Sequence, residues 1–189
     1  MGTYRQSIPQ ADTLMGSMRS MGYSFEAAIA DIIDNGISAN CSVVKLFFPS
    51  EPIDDLVVGI LDDGEGMSAG VLFEAMRYGS RDSGLERNAN DLGRFGLGMK
   101  SASLSQCRIL TVVSLQEEKI SSYSWDYNYI QNRKEWVVKE LSQNEIKASG
   151  HCTLCYRCVN QCSSKAITIL GTQVVSQYSV YDFQQNKMN

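Results

Sequence analysis

Leu61-Asp62-Asp63-Gly64-Glu65-Gly66-Met67 places a carboxylate directly after a hydrophobic run and follows it with alternating glycines. Glycines at such spacing let a ligand come close to the backbone, and a buried carboxylate can accept a hydrogen bond from the amino group of a base. Taken alone, the same string is equally compatible with a plain turn. What decides the reading is the sequence on either side of it.

Upstream, Phe25, Ala28, Ile29, Ile32 and Ile33 recur at helical spacing, with Ser24 as the N-cap and Glu26 at the positive helix end. Asp31 and Asn35 lie one turn apart on that helix and project from one face. A lone pair of this kind is usually a solvated face. Ser42 to Phe48 and Leu56 to Leu61 read as two strands joined through Pro49-Ser50-Glu51-Pro52. Ser68 caps a second helix that is expected to end near Gly79.

Downstream, Ser80 to Leu92 is polar and lacks periodicity, so a long loop is expected. Gly93-Arg94-Phe95-Gly96-Leu97-Gly98-Met99-Lys100-Ser101 then forms a GxxGxG turn opening a short helix to about Gln106. Free amides and the helix dipole at such a turn favour phosphate. It departs from the P-loop pattern because Met99 separates Gly98 from Lys100, and it is not the dinucleotide GxGxxG. A strand is expected at Arg108 to Leu115, an alternating strand from Lys119 to Tyr129 with Tyr123, Trp125, Tyr127 and Tyr129 on one face, and a further strand-like run from Glu135 to Lys139.

Helix with Asp and Asn, then DxGxG, then polar loop, then GxxGxG, in that order within residues 24–101, resembles the GHKL ATPase superfamily of gyrase, the ninety-kilodalton heat-shock chaperone, histidine kinases and MutL. Ala30-Asp31-Ile32-Ile33-Asp34-Asn35 and the glycine turn look closest to MORC-type ATPases and their bacterial relatives. The resemblance covers about residues 10 to 147. It implies an α+β Bergerat-type sandwich, a mixed sheet with helices on one face.

The resemblance also implies a site. Asn35 would ligate a Mg2+ ion bridging the phosphates, and Asp62 would bind the adenine amino group, with Gly64, Gly66 and Met67 shaping the pocket. Gly93, Gly96 and Gly98 would cradle the phosphates, alongside Phe95, Leu97 and Ser101. Residues from about Gly79 to Gly96, including Ser80, would form an ATP lid, and Lys100 would neutralise phosphate charge. Asp31 fills the slot of the general base, where many family members carry the longer Glu. Asp34 is expected to be solvated or structural. The only histidine is His151, so autophosphorylation in cis is not expected.

Cys152, Cys155, Cys158 and Cys162 have the C-x2-C-x2-C-x3-C spacing of bacterial ferredoxins, continued by Ser163-Ser164-Lys165-Ala166-Ile167. A 4Fe-4S cluster is the favoured reading, against zinc or an empty site. The usual Pro after the last cysteine is replaced by Ser163, and a second four-cysteine run is missing. The implied organisation is a GHKL-type domain over residues 1–148 and a ferredoxin-like segment over 149–189, whose Ile167 to Leu170 and Val174-Val175 would suffice for a hairpin. MORC-like domains continue with a helix and a Gly-Thr strand, for which Gly171-Thr172-Gln173-Val174-Val175 is a candidate.

The 189 residues are 43% hydrophobic and 20% charged, the composition of a soluble globular protein. No apolar run approaches the roughly 18 residues of a membrane span. A formal charge of −4 supplies no basic field for nucleic acid. The N-terminal residues lack the apolar core of a secretory signal, so a cytoplasmic location is expected. The expected activity is Mg-dependent ATP binding with slow hydrolysis that drives a conformational or association switch, with a homodimer or an unknown protein partner. The alternatives are a non-hydrolysing nucleotide-binding module and an iron-sulfur redox or oxygen sensor.

Overall fold

The computed structural model describes residues 2–20, 22–49, 58–79, 98–142, 144–145, 166–171 and 178–182. In chain order the elements are α1 (Ala11–Arg19), α2 (Phe25–Ser38), β1 (Val44–Pro49), β2 (Val58–Asp62), α3 (Ala69–Met76) and α4 (Gly98–Gln106). They continue with β3 (Ile109–Gln116), β4 (Lys119–Asp126), α5 (Tyr127–Arg133), β5 (Lys139–Glu140), β6 (Ala166–Gly171) and β7 (Tyr178–Asp182).

The strands form one sheet in the order β5-β4-β3-β6-β2-β1-β7. All pairings among the described residues are antiparallel, so the sheet is not the mixed one expected. Residues 166–171 and 178–182 do not form a hairpin of their own. β6 lies between β2 and β3, while β7 pairs with the outer side of β1. Two strands from the 149–189 span therefore belong to the sheet that carries the DxGxG turn. Of the strand expected at Gly171 to Val175, only Gly171 is described, as the last residue of β6; residues 172–175 lie outside the described residues.

Strand alternation assigns the core. Leu46, Val58, Ile60, Leu110, Val112, Tyr123 and Trp125 occupy one face of the sheet and are buried. Helices cover that face with Ala11 and Met15 from α1, Ile29 and Ile32 from α2, Leu72 and Met76 from α3, Leu104 from α4, and Ile130 from α5. Fully buried side chains such as Ile60, Leu110 and Ile130 each contribute about 1.5–3 kcal/mol by leaving water. The α+β class, with helices packed on a sheet, matches the sequence reading. Among the described residues, no helix is long and apolar enough to cross a membrane.

Local chemistry sets the helix ends. The Ser24 hydroxyl accepts the Ala27 N–H at 3.2 Å and starts α2, as its capping pattern predicts. Ser68 does the same for α3, which stops at Met76 rather than near Gly79. Its last carbonyls are taken by side chains: Trp125 Nε1 donates to Met76 O at 2.9 Å, and Lys100 Nζ donates to Ala75 O at 2.6 Å. The alternating run after Lys119 is strand only as far as Asp126. The Asp126 carboxylate then accepts the N–H groups of Asn128 and Tyr129, starting α5 and removing Tyr127 and Tyr129 from the strand face.

Candidate nucleotide site

β2 carries its alternation one residue past the apolar core. Val58 and Ile60 point into the core, and Asp62 continues the same row at the strand end, where the buried face turns polar. On the other side of β6, Leu110 and Val112 lead in the same way to Ser114, which is 1% exposed. The turn after Asp62 is fixed by both flanks. Met67 N–H donates to Ser114 Oγ at 2.7 Å, and Gln116 Nε2 donates to Gly66 O at 3.3 Å. On the opposite flank, Asp63 Oδ1 accepts the N–H groups of Ser42 and Val43, and Glu65 N–H donates to Ala39 O.

Asp62 accepts the Gly64 N–H on Oδ1 at 2.9 Å. Burial pushes its carboxyl above the ordinary carboxylate range; the Gly64 amide pulls it back, and the Asp63 charge adds to the rise. Such a half-satisfied carboxylate gains from any further donor. Burial, with the charges of Asp62 and Asp63, also raises the nearby Cys41 thiol.

Three glycines make room here. A Cβ on Gly36 of α2 would sit 3.3 Å from Asp62 Cβ and from Cys41 Sγ, so this glycine lets the helix seat against Asp62. Gly66 holds a left-handed φ of 71°. A Cβ on Gly64 would lie 2.8 Å from Asp62 Oδ1 and 2.9 Å from both Ala39 Cβ and Ala39 O. Two of those three obstacles cannot rotate away. Gly64→Ala is therefore expected to cost about 2–3 kcal/mol of stability, read as a lower urea midpoint at unchanged m-value.

The helix that abuts Asp62 also carries the acidic and amide pair. Asn35 is exposed, and its Nδ2 donates to Asp31 O at 2.9 Å. Asp31 is half-buried, and its Oδ2 accepts the Tyr23 hydroxyl at 2.9 Å. Asp34 is exposed. Gly98 begins α4 and is exposed, and among the described residues nothing lies within 4 Å of where its Cβ would be.

Lys100 is buried against α3. It is 2% exposed, its ammonium caps the carbonyl end of α3, and it lies 5.9 Å from the centre of the Tyr78 ring. Ser101 is likewise buried within α4. Met67 is half-buried and packs against the core edge. Ser80, Gly93, Phe95, Gly96 and Leu97 lie outside the described residues, as do Cys152, Cys155, Cys158 and Cys162. Among the described residues no group of three or more His, Cys, Asp or Glu side chains could hold a metal ion. Sequence reading missed Ser114, Gly36 and Tyr23; only Ser114 carried a signal, as the polar member of an apolar alternating row.

A family model described as histidine kinase-, DNA gyrase B- and HSP90-like ATPases matches residues 23–167, from just before α2 into β6. The chain belongs to this family. No curated protein matches the chain. Membership in the ATPase family makes ATP the ligand of the domain, and the matched span holds Asp31, Asn35, the DxGxG turn and the glycine turn together. It also crosses residue 148, as the sheet does.

Proposed function

We propose that this ATPase-family domain hydrolyses ATP slowly in a Mg2+-dependent reaction that closes the 79–96 segment over the nucleotide and switches association with a second copy or a protein partner. One observation carries the reading: the helix whose Gly36 seats against Asp62 presents Asp31 and Asn35 one turn apart on the same helix. That adjacency of β2 and α2 supports a reading in which Asp62 is the adenine acceptor, Asn35 the cation ligand and Asp31 the base. Within the family, Ala30 to Asn35 and the glycine turn favour a MORC-like assignment.

In this reading Asp62 takes the adenine amino hydrogen, Gly64 and Gly66 admit the base, and the start of α4 receives phosphate oxygens. The amide oxygen of Asn35, whose nitrogen is engaged by Asp31 O, would be the residue's ligand to a hard cation. When bound, Mg2+ supplies neutralisation of phosphate charge. Asp31 accepts a proton from the attacking water while the water's oxygen bonds to the γ-phosphorus. The bond from that phosphorus to the bridging oxygen breaks, leaving ADP and inorganic phosphate.

Steady release of inorganic phosphate from ATP is the test, run with Mg2+ and again after chelation. Release that stops on chelation is the expected result. Absence of release with Mg2+ present overturns the reading in favour of a nucleotide-binding module, an alternative supported by Asp31 being one methylene shorter than the usual Glu. The four-cysteine spacing is proposed to hold an iron-sulfur cluster, and iron analysis of anaerobically purified protein decides it.

A further inference from the structure

We propose that Tyr23 is a positioning residue of the hydrolytic site, its hydroxyl holding Asp31 Oδ2 so that the other carboxylate oxygen faces the attacking water. The inference rests on the hydrolytic reading of Asp31 and adds a residue to it. Tyr23 lies just before the N-cap of α2, outside every motif, yet its hydroxyl meets Asp31 Oδ2 at 2.9 Å across two helical turns.

A carboxylate on a short side chain has a broad, two-fold torsion about its last bond, so its two oxygens exchange roles easily. A donor fixed on one oxygen removes that freedom and defines where the second points. Asp31 is held at two places: Tyr23 takes the side-chain oxygen, and Asn35 Nδ2 takes the backbone carbonyl. Tyr23 is held in turn, because Gln106 Nε2 donates to its carbonyl at 2.8 Å. Gln106 is the last residue of α4, whose first residue is Gly98 of the glycine turn. One helix therefore meets the phosphate end of the site at its start and braces the holder of the base at its finish. The bond to Asp31, followed by burial, raises the Tyr23 phenol above its ordinary value, which keeps it a donor. For a base one methylene shorter than usual, fixed direction substitutes for reach.

Tyr23→Phe removes the hydroxyl and leaves the ring. Turnover is expected to fall about tenfold, the kinetic equivalent of one net hydrogen bond lost, with the ATP dissociation constant within about twofold of wild type because the mutation lies away from the base and phosphate contacts. In an Asp31→Ala background the same change should have no further effect on single-turnover rate, since there is no carboxylate left to orient. A merely structural role would lower both backgrounds alike and overturn the proposal, as would unchanged or faster turnover in Tyr23→Phe. Wild-type protein that binds ATP and releases no phosphate overturns the hydrolytic reading itself, and the proposal with it.

Discussion

Asp62→Ala is expected to weaken Mg-ATP binding at least about 100-fold, the scale at which a site loses discrimination when a buried polar partner disappears. The carboxylate is mostly buried at the point where β2 leaves the core, and burial already disfavours its charge. The bound base amino group would supply the donor that this environment lacks. Removing the carboxylate also releases the Gly64 amide, which it holds at 2.9 Å, and so loosens the turn that admits the base. Asp62→Asn separates the two effects, because its amide oxygen still accepts from Gly64 while the charge is gone. Calorimetric titration with Mg-ATP checks both variants. Unchanged binding in Asp62→Ala would place the base elsewhere.

Asp31→Ala is expected to lower turnover by about 100- to 1,000-fold, the usual range for a positioned general base, with ATP affinity kept within about twofold. The two quantities separate because Asp31 touches Tyr23 and Asn35, whereas the adenine contact is assigned to Asp62 on another element. Single-turnover phosphate release, paired with calorimetry, reads them independently. Equal loss of binding and turnover would make Asp31 a residue that shapes α2. Residual turnover matching wild type would remove it from the chemistry.

Much of the nucleotide-facing half is legible in the linear sequence because its determinants are local. The apolar spacing of Phe25 to Ile33 and the Ser24 cap define α2 without reference to anything distant. The pairing of β1 with β2 follows from two apolar runs separated by prolines. Residues whose role depends on distant partners were not legible. α1 carries only Ala11 and Met15 as buried apolar residues, too few for a strong periodic signal, and it is held by Arg19 donating to the carbonyls of Leu104 and Cys107. Lys100 follows a glycine turn and so reads as a phosphate ligand. What the sequence did not show is that its ammonium donates to the Ala75 carbonyl at the end of α3, twenty-five positions earlier. Tyr23 has no motif at all, since its importance comes from a hydroxyl meeting a carboxylate across two helical turns.

The location of β6 has a consequence for the order of assembly. Among the described strands it is the one that pairs with both β2 and β3, and β7, on the outer side of β1, follows it in the chain. Asp62 lies on β2 and Ser114, which steadies the turn beyond it, on β3. A chain emerging from the ribosome has therefore made every nucleotide motif long before the strand that pairs with both exists. Such long-range closure is slow, because loop entropy is spent before the contacts form. During synthesis β1 with β2 and β3 with β4 are therefore complete before the strand at residues 166–171 that pairs with both of them.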